Sequence, residues 1–307
     1  MTACSRVSLS LDEPLAGTAP EATSWIVVEQ PGPWGRKALT QSHLDPVLGA
    51  ALETAAHAHG ARVALVRRPG RHPDTGRRRP RRVWVASARP GMTWLLGGEV
   101  DDVEALGALA WSGLESGDQE LVRASIHGLK PETEPLLLVC TNGRRDVCCA
   151  NYGRPLALAM HGRLPDRVWE TTHLGGHRFA PTAVVLPFGV AHGRLDVDGA
   201  VQLVEQARAG RHVGIGYRGR STFSRPGQAA EAAVRDGAGV DGFDDLDVAT
   251  VEQRAASSWR VVVAHRDGRR WSVDVRARPL DPPRPESCGA AAVQPLAYVV
   301  DMPTMQE

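Results

Sequence analysis

Lysine is almost missing from this chain. Lys37 and Lys130 are the two lysines in 307 residues, so nearly all of the 36 basic side chains are arginine. Together with the load of alanine, glycine and proline, this reads as a compositional bias, and arginine richness alone carries little functional information. Charge of one sign is lacking too: 36 Lys+Arg stand against 35 Asp+Glu, a net charge of +1. Without a net field to gather phosphates or anionic lipid, a general polyanion binder is excluded, and any basic patch has to be local. The 5 cysteines are few and odd in number. That argues against a disulfide scaffold and for free or metal-bound thiols. No apolar run approaches the ~18 residues of a membrane span, and the N-terminus lacks the charged-then-apolar order of a signal peptide. The expectation is a cytoplasmic protein with no membrane and no specific nucleic acid among its partners.

What is present is a repeated order of elements. SWIVVEQ (24–30) reads as a strand, followed by the turn PGPWG (31–35). A helix is expected from Asp45, its N-cap, and Pro46 to about His59, with Gly60 as its stop. Strand-like runs follow at 61–68, 82–90 and 92–97. A helix opened by Asp101 and Asp102 then places Val103, Leu106, Leu109, Ala110 and Leu114 on one face. From residue 134 the order recurs: a strand ending at Cys140, a helix at 154–162, strands at 168–173 and 182–189, and a helix at 198–210. Two β-α-β-β-β-α units in tandem resemble two thioredoxin-like folds. The expected fold class is α+β, with units at 1–130 and 131–211 and a small C-terminal α+β extension at 212–307. That extension holds a helix around 228–235, a helical stretch after the acidic turn 241–247 to about Ser257, a hairpin turning at Asp267-Gly268, and a last strand, LAYVVDM.

Chemistry concentrates in the second unit. Cys140 and Cys149 have eight residues between them, and His173 and His177 have three. Cys140 and His173 each end a strand, and Gly175-Gly176 supplies backbone that can fold closely around an inorganic core. Two thiolates and two imidazoles fit a tetrahedral zinc or a [2Fe-2S] cluster with mixed ligands. The spacing departs from zinc fingers, whose cysteines lie two to four apart. It also departs from Rieske loops, each of which gives one Cys and one His. The bland alternative is four ordinary buried thiols and surface imidazoles.

VCTNGRRDVCCA followed by HLGGHRFAP is similar to the signature of the sucrase/ferredoxin-like family. CSRVSLSLDEPLAGTAP, VEQPGPWG, YRGRS and a late SCG extend the resemblance over most of the chain. It implies a thioredoxin-like ferredoxin domain in which Cys140 and Cys149 bind one iron of a [2Fe-2S] cluster and His173 and His177 the other. Cys148 is the alternative thiolate. Asn142 stands where the family commonly has histidine. Arg145 and Asp146 match the pattern, as an ion pair or as hydrogen-bond donors and acceptors around the ligands, with Asn142, Gly175 and Gly176 in the same surround. Two neutral imidazoles in place of two thiolates raise the potential above that of all-cysteine ferredoxins, and allow proton-coupled one-electron transfer with a redox partner protein. A structural zinc scaffold on the same four ligands, and a thioredoxin-like thiol oxidoreductase, are the alternatives.

Other signals count for less. GIGYRG (214–219) follows a helix and lacks the strand context of a dinucleotide site. Arg67–Arg82 has no aromatics for stacking and reads as a solvated hairpin loop. Asp196, Asp198, Asp244, Asp245 and Asp247 sit at helix starts and turns, so a glycosidase pair, and with it sucrase activity, is not expected. Cys4 and Cys288 read as isolated thiols. His57 and His59 diverge on their helix. His161, His192 and His212 read as solvent-facing, and the eight tryptophans as core and interface.

Overall fold

Strong local signals become the elements they announce. In the computed structural model, which describes residues 3–70 and 80–306, a short helix α1 (Cys4–Ser10) precedes strand β1 (Ser24–Glu29). Helix α2 (Pro46–Ala58) starts as its sequence dictates: the Asp45 carboxylate accepts hydrogen bonds from Val47 N and Leu48 N, both at 2.9 Å, and Pro46 takes the first helical position. Strands β2 (Ala61–Arg67), β3 (Arg81–Ser87) and β4 (Trp94–Val100) follow. The middle of the basic segment, residues 71–79, lies outside the described residues.

The single helix expected after Asp102 is instead broken. Asp102 caps a 3-10 turn (Val103–Ala108), Leu109 is extended, and α3 (Trp111–Ser116) and α4 (Gln119–Ser125) follow. Gly107 weakens the helix there, and the break lets Leu106, Leu109 and Leu114 all reach the core.

After β5 (Lys130–Glu132), the second half supplies β6 (Leu136–Cys140), α5 (Arg154–Arg163), β7 (Val168–Thr171), β8 (Ala183–Leu186), β9 (Val190–His192) and α6 (Val197–Arg208). Both halves have the β-α-β-β-β-α order and the same strand arrangement. It is β2-β1-β3-β4 in the first and β7-β6-β8-β9 in the second, with β1/β2 and β6/β7 parallel and the other pairs antiparallel. The halves are not separate beads. β2 pairs antiparallel with β7, and the result is one ten-stranded sheet running from β5 to β10 (Tyr217–Arg220).

Strand alternation sorts the core. Ile26, Val28, Leu65 and Val85 pack against the helices of the first half, and Leu137, Val139 and Val185 against α5 and α6. The alternate residues, among them Trp25, Trp84, Leu138, Cys140 and Trp169, form one cluster shared by both halves, in which Trp84 and Trp169 meet edge to face at 4.9 Å. Six of the eight tryptophans are buried.

The remaining chain gives α7 (Arg225–Ala238), which packs on a second sheet formed by β11 (Leu246–Ala255), β12 (Ser258–His265) and β13 (Arg270–Pro279). Beyond them lie the two-residue pair β14 (Arg284–Pro285) and β15 (Ala292–Val293), then β16 (Leu296–Val300) and β17 (Thr304–Met305), which both pair with β13. Here the sequence reading needs correction: 246–255 is a strand, not a helix. Its Val248, Thr250 and Val251 suit a pleated surface, and the ladder to β12 overrides the helical preference of its charged residues. The Asp267-Gly268 turn closes the β12/β13 hairpin as expected, with Gly268 at φ +100°.

Arg220 locks the two sheets together. It is buried, and its guanidinium donates to Ala88 O (2.9 Å), Phe243 O (2.7 Å), Thr93 Oγ1 (2.9 Å) and the Asp244 carboxylate (2.8 Å). Removing it leaves those acceptors unpaired, so Arg220→Met is expected to cost on the order of 3 kcal/mol in a denaturant titration. His192 is fully buried rather than solvent-facing. Its Nδ1 lies 2.7 Å from Ile215 O, and burial lowers its pKa to about 4. His212, close by, is lowered to about 2, first by burial and then by Arg235. An unfolded chain takes up protons on both near pH 6.5, while the folded chain resists, so stability should fall as pH drops from about 6.5 towards 4. A melting temperature that falls less steeply over that window in His192→Gln than in the wild type checks the assignment; equal slopes would remove His192 from it.

Candidate metal centre

Four side chains converge at one end of β6 and β7. Cys140 is the last residue of β6; Thr171, its parallel partner, ends β7 two residues before His173. Cys149 opens a π-helical turn (Cys149–Gly153) that runs into α5, and His177 begins a 3-10 turn (His177–Phe179). Such π turns recur at functional sites because they re-aim one side chain without ending the helix. Gly153 lies against the Cys140 carbonyl, where a Cβ would collide, so the turn closes on the strand end.

The four expected residues lie in one neighbourhood, with Cys140 close to Cys149 and His173, and His173 close to His177. The Cys140 sulfur lies beside Cys149, His173 and the Leu174 backbone, in the buried cluster that also holds Trp169. The His173 and His177 rings lie 4.8 Å apart, centroid to centroid, tilted by 31°. Both Nδ1 atoms are buried without a hydrogen-bond partner among the described residues. The two cysteines are fully buried, while the histidines are half-buried and line a cleft of about 730 Å³ together with Arg62, Arg145, Arg178 and Arg225. Two buried sulfurs thus share a neighbourhood with two imidazoles whose Nδ1 atoms are unpartnered among the described residues, and buried polar atoms of that kind are rare in a folded chain.

Electrostatics favour charge on one sulfur. The hydrogen bond from Cys149 pushes Cys140 well below its ordinary thiol value against the opposing effect of burial, with His173 assisting, and pushes Cys149 itself up. Burial, reinforced by the neighbouring His173, lowers His177 to about 4, so its ring is neutral and able to ligate at neutral pH.

Two arginines, the half-buried Arg62 and the buried Arg218, position the histidine loop, and neither was found by sequence reading. Arg62, on β2, donates to His173 O at 3.0 Å. Arg218, on β10, donates to Gly175 O and Thr18 Oγ1, each at 3.1 Å, and to Thr18 O; burial, with Arg178 nearby, lowers it to about 9. For Arg218 the available signal was the YRGRS run, which carries part of the resemblance to the family; nothing local marks Arg62. Asn142 ties the cysteine loop to the first half, donating to Gly35 O at 3.2 Å and accepting from Arg145 N at 3.3 Å. Thr141 hydrogen-bonds the buried Glu170 at 2.9 Å.

Cys148 points elsewhere. Its sulfur lies 3.6 Å from that of Cys4 and 3.3 Å from that of Cys288, so neither of those two is an isolated thiol. Cys4, Asp146, Cys148 and Cys288 place their ligand atoms within 4.8 Å of one another and form a group able to hold a metal ion. Asp146 acts through hydrogen bonds. Its carboxylate accepts from Cys148 N (2.9 Å), Cys288 N (2.8 Å) and Ser287 Oγ (2.9 Å), which outweigh burial and keep it below its ordinary value. A hydrogen bond from Cys4 lowers the Cys148 thiol to about 6 despite burial. Complete burial, however, withholds it from a substrate disulfide.

The model of the Sucrase/ferredoxin-like family matches residues 15–219, more than half of the chain. No curated protein and no solved structure matches it.

Gly175 and Gly176 have φ +83° and +68°, and a Cβ on Gly176 would strike the Arg218 guanidinium. Gly176→Ala therefore combines a left-handed penalty of about 1–2 kcal/mol with displacement of Arg218. The expected result is a lower melting temperature and lower metal content on purification. Unchanged values in both would show that the loop tolerates the shift.

Proposed function

Because the chain belongs to the sucrase/ferredoxin-like family, we propose that it is a one-electron carrier that holds a [2Fe-2S] cluster through Cys140, Cys149, His173 and His177. The observation that carries this reading is the nearness of two buried sulfurs to two imidazoles whose Nδ1 atoms lack partners among the described residues. When bound, such a group supplies one-electron chemistry at a potential raised by the replacement of two thiolates with neutral imidazoles.

The chain's own residues divide the remaining work. Cys140 and Cys149 sit in the shared apolar cluster beside Leu138, Trp169 and Leu174, which excludes water from the sulfur side. His173 and His177 lie at the cleft, where the second ring nitrogen of each is the place for a proton to be held or released as charge changes, coupling proton to electron. Arg62 and Arg218 bring fixed positive charge close to Cys140 and favour its thiolate. Arg145, Arg178 and Arg225 at the cleft, set against Glu21 and Glu286, suit docking of a redox partner through an acidic surface.

Purification without oxygen is the test. A brown protein with two irons and two sulfides per chain supports the reading, whereas stoichiometric zinc lost on His173→Ala would assign these four ligands to a structural scaffold instead. Replacing His173 and His177 by cysteine should retain a cluster and lower its potential by on the order of a hundred millivolts or more, read by redox titration. An unchanged potential would remove the histidines from the ligand set.

A further inference from the structure

The three cysteines left over from that set meet in a second place. The sulfurs of Cys4, Cys148 and Cys288 form a triangle with edges of 3.6, 3.3 and 3.5 Å, and Asp146 Oδ2 lies 3.8 Å from the Cys4 sulfur. All three thiols are free, and their separations exceed the ~2.05 Å of a disulfide. They are instead close to the ~3.7 Å between sulfurs that share a tetrahedral zinc at about 2.3 Å.

The surround is built for such an occupant. Cys4, Cys148 and Asp146 are buried, Cys288 is half-buried, and Ala3, Tyr152 and Ala180 line the outside. Ser5 Oγ donates to the Cys148 sulfur at 3.3 Å and Cys4 N to the Cys288 sulfur at 3.5 Å. Asp146 takes the backbone N–H groups of both Cys148 and Cys288, so the carboxylate fixes the two chains that bring in sulfurs. Three soft sulfurs and a carboxylate in a closed pocket are mutually repulsive as anions unless a cation sits among them. Closed four-ligand sulfur-rich sets are the structural zinc type.

We propose that Cys4, Cys148, Cys288 and Asp146 hold one Zn²⁺ as a structural clamp, pinning α1 and the 287–288 segment onto the loop that carries Cys149. Metal entry displaces the remaining thiol protons to solvent. The clamp is separate from the proposed electron-transfer centre: its ligands differ, and Cys4 and Cys288 lie outside the matched residues 15–219. Its consequence for that centre is positional, since Cys148 and Cys149 are adjacent.

The test is metal analysis of the full chain with matched variants. About one zinc per chain is expected in the wild type, retained in Cys140→Ser and lost in both Cys4→Ser and Cys288→Ser. Iron and sulfide should fall in Cys140→Ser. Titration of zinc-stripped Cys140→Ser with Co²⁺ should give the intense visible absorption of a tetrahedral cobalt thiolate, which keeps the proposal testable even if Cys4→Ser and Cys288→Ser fail to fold. Chelator treatment should open α1 and the C-terminal segment to limited proteolysis. No zinc together with no cobalt band overturns the proposal. So does zinc that survives both Cys4→Ser and Cys288→Ser, zinc that leaves with His173→Ala instead, or loss of free thiol at these three positions to a disulfide. Wild-type protein with zinc at this site and no iron would sink the electron-transfer reading and leave the clamp standing.

Discussion

The antiparallel pairing of β2 with β7 is the constraint on which the rest of the molecule depends. It converts two similar halves into one sheet, and it is stitched by more than backbone. Thr172 N donates to Leu65 O at 3.0 Å, and Thr172 Oγ1 accepts from Leu65 N at 3.1 Å. Across the seam the half-buried Arg67 pairs with the buried Glu170 at 2.7 Å, donates to Gly32 O at 3.1 Å and stacks over Trp34. Glu170 also takes the hydroxyl of Thr141, the residue after Cys140. A charged pair this deep costs desolvation and returns it only when every acceptor is filled, which here joins the PGPWG turn, the seam and the thiol loop into one hydrogen-bonded unit. Because β7 lies between β2 and β6, the same seam places Arg62 of the first half against His173 of the second.

Arginine is the second organising element. Arg62, Arg218, Arg220 and Arg284 all have guanidinium groups spent on backbone carbonyls and carboxylates. Arg284 reaches the buried Glu13 at 3.0 Å, which also pairs with Arg178 at 2.6 Å. A planar fork with five donors can satisfy several acceptors from one buried position, which an ammonium on a flexible stem does less well. The scarcity of lysine thus has a structural expression, whatever its origin in composition. Arg220 shows the use: from β10 of the large sheet it reaches Ala88 O and, just before β11 of the second sheet, Phe243 O and Asp244.

Much of the fold was legible. Strands β1, β2, β6 and β8, the capped helices α2 and α6 and the Asp267-Gly268 hairpin follow from alternation, caps and turn chemistry within a few residues. The order of the two halves also followed, because it is a pattern of such local signals. Where reading failed, a distant partner decided. Leu246–Ala255 is a strand because β12 lies alongside it, and the helix after Asp102 breaks because three leucines have to reach one core. The pairs Cys140/Cys149 and His173/His177 were legible as pairs, being short-range spacings at strand ends. Cys148 was not, since nothing in an adjacent pair of cysteines says that one sulfur points to the opposite side of the loop from the other.

The sequence by itself determined most of the element types, the α+β class, the family and the two short motifs that hold Cys140/Cys149 and His173/His177, because those signals reside in runs, caps and spacings a few residues long. The tertiary structure alone decided that the halves share one sheet, that Arg62 and Arg218 hold the histidine loop, and that Cys4, Cys148 and Cys288 form a triangle. The last of these joins sulfurs separated by 144 and 140 residues. No local rule relates positions that far apart. Their meeting is fixed by the packing of α1 on the 177–179 turn and β14, and by Asp146 holding the 287–288 segment.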